Sequence, residues 1–114
     1  MESSAPFSSY SDALRAAVTA RVKALLGGLP YDHERARALV KAVADAVLED
    51  ARALVSSRFK LIVNAAIVQT DADAGAGLVT HSAVFWDQSA DGAVFCSVPS
   101  THCTAVVTIY GAST

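Results

Sequence analysis

All nine lysines and arginines of this chain lie between Arg15 and Lys60, and residues 61–114 contain none. The only acids beyond Lys60 are Asp71, Asp73, Asp87 and Asp91, all where turns are expected. This asymmetry constrains the fold more than any other feature. The first half is therefore mixed-charge and the second nearly uncharged, and the texture changes at Phe59. Phe59 to Thr70, rich in β-branched and aromatic residues, reads as a first strand. Asp71 to Gly77 is a flexible connection. Leu78 to Trp86 is a second strand, with Leu78, Thr80, Ser82, Val84 and Trp86 alternating against Val79, His81, Ala83 and Phe85. Asp87 to Gly92 is a turn. Ala93 to Val98 and His102 to Tyr110 are a third and fourth strand, joined by a tight Pro99-Ser100-Thr101 turn.

The charged half has helical periodicity. Leu14, Val18, Val22, Leu25 and Leu26 recur at helical spacing, with Ser9 and Asp12 in the positions of a capping box. Gly27-Gly28 follows, where a left-handed glycine can close the helix. Asp32 is placed to cap a second, longer helix whose apolar stripe is Leu39, Val40, Val43, Val47, Leu48, Ala51, Leu54 and Val55. Arg37, Lys41, Asp45, Glu49 and Arg52 occupy the opposite face. Lys41 and Asp45 are an attractive pair four residues apart, while Asp45 and Glu49 repel. Two helices precede all four strands and no βαβ unit occurs. The expected class is therefore α+β, two N-terminal helices packed on a four-stranded antiparallel sheet.

At 114 residues the chain is one domain. Residues 1–10 read as a flexible N-terminal tail, and 11–114 as the folded unit. A net charge of −2 offers no electrostatic case for nucleic acid or anionic membrane as a partner. The longest apolar run, Leu61 to Val68, contains Asn64 and is too short for a membrane span. Met1 to Tyr10 has neither the basic nor the apolar region of a secretory signal, so a cytosolic chain with reduced cysteines is expected.

An open sheet has two edges, which soluble proteins usually blunt with lysine, proline or inward charge. Leu78 to Trp86 has no formal charge at all. Either it pairs with a second copy, or it is reserved for a ligand strand, or a helix or tail of the same chain covers it.

The strand half resembles the Tctex-type dynein light chains. The resemblance rests on five stretches: Phe59-Lys60-Leu61-Ile62-Val63, Gly75-Ala76-Gly77-Leu78, Phe85-Trp86-Asp87, Asp91-Gly92 and Tyr110-Gly111. It covers residues 59–114 by motif and the helices by order and length. It implies a dimer in which one strand, within Leu78 to Trp86, crosses to the other subunit's sheet. The dimer would bind an extended segment of the dynein intermediate chain as an added strand, and related surfaces would hold cargo peptides. Carried onto this chain, the partner-binding residues are Leu78, Val79, Thr80, His81, Ser82, Ala83, Val84 and Phe85. The dimer-interface residues are Leu78, Thr80, Ser82, Val84 and Trp86. Such a protein is cytoplasmic and cytoskeleton-associated, or axonemal. Two departures stand out: the longer, more acidic Asp71 to Ala76 connection, and a Cys96-Ser97-Val98-Pro99-Ser100 stretch without the usual aromatic and acidic residues.

Catalytic chemistry has few candidates. His102 and Cys103 are neighbours on a strand and point to opposite faces, so they cannot act as nucleophile and base. Cys96 and Cys103 fall roughly opposite one another across the turn, as packed thiols, a redox-labile pair, or part of a zinc site with His81. No zinc-ligand spacing or phosphate loop accompanies them. No enzyme signature and no cofactor are expected. Trp86 is either a stacking anchor for a peptide or a core residue, and Tyr110 and Phe95 read as core. The rival to an adaptor is a small α+β regulator or enzyme with its own pocket, such as a GTPase-associated module.

Overall fold

The computed structural model describes residues 5–27, 32–69 and 83–114. Helix α1 spans Ser11–Leu26 and helix α2 spans His33–Leu54. Three strands follow: β1 (Phe59–Gln69), β2 (Gly92–Pro99) and β3 (Cys103–Ser113). They form an antiparallel sheet in the order β1-β3-β2, so β3 is central and β1 and β2 are edges.

Both helices lie on one face of this sheet. Alternate strand residues point at them: Phe59 on β1, Val94, Cys96 and Val98 on β2, and Cys103, Ala105, Val107 and Ile109 on β3 are all buried. They meet Leu14, Val18, Val22 and Leu26 of α1 and Val43, Val47 and Ala51 of α2 in one core. The i, i+4 spacing of those helical residues is what puts them on a single face. The other face of the sheet is not covered by a described helix.

Several local expectations require correction. The sheet has three strands among the described residues. Of the expected strand from Leu78 to Trp86, Ala83 to Trp86 make no ladder, and Leu78, Val79, Thr80, His81 and Ser82 lie outside the described residues. Strand geometry is held only where a neighbouring edge pairs the main-chain groups, and no described edge of this chain pairs with Ala83 to Trp86. The segment expected to be a loose tail contains a 3-10 turn at Phe7–Tyr10, and Phe7 is fully buried. Ser9 does not cap α1; its Oγ donates to the carbonyl of Pro6 inside that turn, and the cap position belongs to Tyr10 without a side-chain bond.

Gly27 ends α1 with φ −46°, outside the left-handed region. Glycine is needed there for a different reason: a Cβ would stand 2.6 Å from the carbonyl oxygen of Lys23. Asp32 caps α2 as expected, accepting from the Glu34 N–H at 3.0 Å. The Lys41–Asp45 pair also forms, at 2.7 Å. A contact absent from the sequence reading joins the helices, a two-pronged bridge from Arg21 to Asp50 at 2.7 and 3.0 Å.

Cys96 and Cys103 share the buried face but are not opposite each other. Cys96 faces Val107, and Cys103 faces Gln69 on its other side. The register displaces the two cysteines by about four residues, roughly 13 Å along the strands. Disulfide partners need Cα atoms within about 7 Å, so a redox pair is excluded by geometry. Burial pushes the Cys96 thiol above its ordinary value, which keeps it protonated and unreactive. Among the described residues, no three His, Cys, Asp or Glu side chains converge as a metal site.

Candidate functional site

The open face of the sheet and its free edge are built by strand alternation. On β1 the residues pointing away from the helices are Lys60, Ile62, Asn64, Ala66 and Val68. Their neighbours on β3 are Ala112, Tyr110, Thr108, Val106 and Thr104, and those on β2 are Ala93, Phe95, Ser97 and Pro99. Lys60 is the only charged side chain in this set. Ile62 is 63% exposed and Phe95 56%, so Phe95 belongs to the open face and not to the core. The absence of charge that was legible in the sequence is thus concentrated on a surface that no described helix covers.

The main-chain groups follow a second alternation. A residue in an antiparallel strand directs its N–H and C=O to the same neighbour, and the next residue directs them to the opposite side. The Thr114 N–H donates to the Arg58 carbonyl at 2.7 Å, one step beyond the Phe59–Ser113 pairing. Even-numbered β1 residues therefore bond to β3. Leu61, Val63, Ala65 and Ile67 direct their main-chain groups outward along the free edge. The opposite edge is different. Arg15 Nη1 donates to the carbonyl of Phe95, and Pro99, on the same outward parity, has no N–H to offer. Edge β2 is blunted by a guanidinium and a proline, while no described strand pairs with the outer side of β1.

Ala83 to Trp86 lie over the open face near its Lys60 end. Together with Lys60, Ile62, Tyr110 and Ala112 they line a groove of about 580 Å³. Of the sequence-derived site residues, Ala83, Val84 and Phe85 are exposed there, Phe85 completely. Trp86 is half-buried, its ring 6.2 Å from that of Tyr110. Tyr110 is accordingly an open-face residue, not a core one. The other site residues, Leu78 to Ser82, are outside the described set. What the sequence reading missed is that β1 lies at an edge of the sheet, which only strand order could reveal.

This arrangement supplies hydrogen-bonding edges and apolar contact and, among the described residues, no convergent set of metal-ligating side chains. A model of the Tctex-1 family matches residues 9–112. The chain belongs to the Tctex-1 family. That match covers both helices and all three strands except the last residue of β3, so the resemblance first carried by the strand motifs extends through the helical half. Among curated proteins, none matches the chain. The Tctex-1 family is one of non-catalytic dynein light chains. None of the described helices is long and apolar enough to cross a membrane.

Proposed function

We propose that this Tctex-1 chain is a homodimeric adaptor subunit of a dynein motor complex. It would bind an extended segment of the dynein intermediate chain, and cargo peptides, by β-strand addition. The observation that carries the reading is a β1 edge that no described strand covers, beside a sheet face whose only charged side chain is Lys60, with the edge at β2 already blunted. A free, flat, apolar edge is an aggregation hazard unless a strand is meant to occupy it. The 78–86 segment of a second copy is the natural occupant, since it is uncharged, and Ala83 to Trp86 pair with nothing in their own sheet. Docked on β1, it would become the fourth strand and present a new edge for a partner segment. The dimer interface would then include Leu78, Thr80, Ser82, Val84 and Trp86, and the partner-binding residues would run from Leu78 to Phe85. Family membership favours this reading over a GTPase-associated module.

Adjacent alanines on β1 test it. Ala65 directs its N–H to the free edge, and Ala66 directs its N–H to β3. Ala66→Pro removes a ladder bond and should cost about 3 kcal/mol or more, disrupting the subunit. Ala65→Pro should leave a folded chain by circular dichroism yet shift sedimentation from dimer to monomer. It should also abolish titration by an intermediate-chain peptide. A folded Ala65→Pro variant that still dimerises and binds normally would remove β1 as the acceptor edge.

A further inference from the structure

The Ala83–Trp86 segment leaves the sheet through a short turn, and that turn is held by residues outside the groove. Asp91 is the centre of the attachment. One carboxylate oxygen accepts from the Ser113 N–H at 2.6 Å, and the other accepts from the Asp87 N–H at 2.9 Å. The second bond fixes the peptide plane between Trp86 and Asp87, at the point where the segment departs. The Asp87 carbonyl accepts from the Ala90 and Asp91 N–H groups, and its carboxylate accepts from the Ser89 N–H and hydroxyl. The turn is therefore closed on itself and tied to the end of β3.

A second attachment comes from the N-terminal segment. The Phe7 N–H donates to the Ala90 carbonyl at 2.8 Å, inside the same turn. The Phe7 ring lies beneath Gly111 at the end of β3 and reaches Gly92 at the start of β2. It also meets Phe59 at the start of β1, with ring centroids 5.4 Å apart. Arg58 anchors the segment further by donating to the Ala5 carbonyl while its guanidinium stacks on Phe59. One buried ring thus touches the ends of all three strands, and the main-chain N–H of the same residue holds the turn. Phe7 lies outside residues 9–112, the part of the chain that the family model matches.

We propose that Phe7 and Asp91 are positioning residues that set how the Ala83–Trp86 segment leaves the sheet, and through it the strength of self-association. The effect on self-association rests on the dimer proposed above; the effect on the segment itself does not. Neither side chain lines the groove. Each acts through the turn, by fixing the main chain next to Trp86.

Trp86 is the only tryptophan in the chain, so its fluorescence reads the departure point without a label. The test compares Asp91→Asn, Phe7→Ala and a control, Val22→Ala, with the wild type. Val22 is a buried core residue near Pro99 and Ser100, away from the turn, so its truncation lowers stability without touching the attachment. At a temperature where circular dichroism shows every chain folded, acrylamide quenching of Trp86 should rise in Asp91→Asn and Phe7→Ala and stay at the wild-type value in Val22→Ala. Unchanged quenching in folded Asp91→Asn, or an equal rise in the control, would overturn the positioning role. If Phe7→Ala does not fold, Asp91→Asn decides, because its half-exposed site tolerates the amide. Sedimentation should show a dimer dissociation constant raised about tenfold in Asp91→Asn, equivalent to about 1.4 kcal/mol. Raised quenching with an unchanged constant would overturn the link to self-association. A wild type that is monomeric at every concentration would remove the dimer and that link, and leave the quenching comparison to decide the positioning role.

Discussion

Gly111 and Phe7 make a pair in which one residue exists because of the other. A Cβ at Gly111 would stand 2.6 Å from Phe7 Cγ and nearer still to two other ring atoms. Nothing soft is available to yield, since the ring is fully buried against the three strand ends. Gly111→Ala should therefore lower stability by about 1–3 kcal/mol, the usual range for forced overpacking. Adding Phe7→Leu should recover part of that loss in a denaturant titration. Additive losses would mean that the glycine answers to something other than the ring. Phe7 itself was not legible. It stands alone among Ser3, Ser4, Ala5, Ser8 and Ser9, and one aromatic has no period by which to declare a buried face. The cysteines illustrate the reverse error. Strand alternation correctly put both on the same side, but their separation depended on the four-residue Ser100–Cys103 turn, closed by the Ser100 N–H to the Cys103 carbonyl.

At the scale of elements, the α2 stripe separates residues that hold the helix from residues that merely follow its period. Val43, Val47 and Ala51 are almost completely buried, whereas Leu54, at the end of the same stripe, is 42% exposed. Val47→Ala should cost about 1.5–3 kcal/mol of unfolding free energy. Leu54→Ala should cost within about 0.5 kcal/mol, as exposed positions do. Thermal or urea unfolding of the two variants checks the ordering, and equal losses would mean that the helix end is packed more tightly than its exposure implies. Helix and strand positions were largely legible because burial imposes a period. The helix-to-helix bridge from Arg21 to Asp50 was not, because residues 29 apart meet only through a packing angle. Both side chains are partly exposed, so water and salt screen the bridge and it adds little to stability. The Arg21 guanidinium still holds the Asp50 carboxyl below its ordinary value by donating to it.

For the whole molecule, the distribution of charge gives a prediction about assembly. If copies associate across the open face and along β1, Lys60 is the only charged strand side chain they cover. Ionic screening then has little to act on. Sedimentation at low salt and at about 1 M, where the Debye length is about 3 Å, should give dissociation constants within a few-fold of each other. A steep weakening with salt would move the contact to the charged helix faces. The sequence by itself determined the class of fold, the number and order of helices, the three strands now placed, and the charge-poor surface. Each of these is a local or periodic property, written in residue spacing and composition. Strand order was decided only by the tertiary structure. Among the described residues it made β3 central, left β1 at an edge, capped β2 with Arg15 and Pro99, and brought Phe7 under Gly111. These outcomes follow from which segments pair and how the helices pack over them, and contacts between residues far apart along the chain have no counterpart in local pattern.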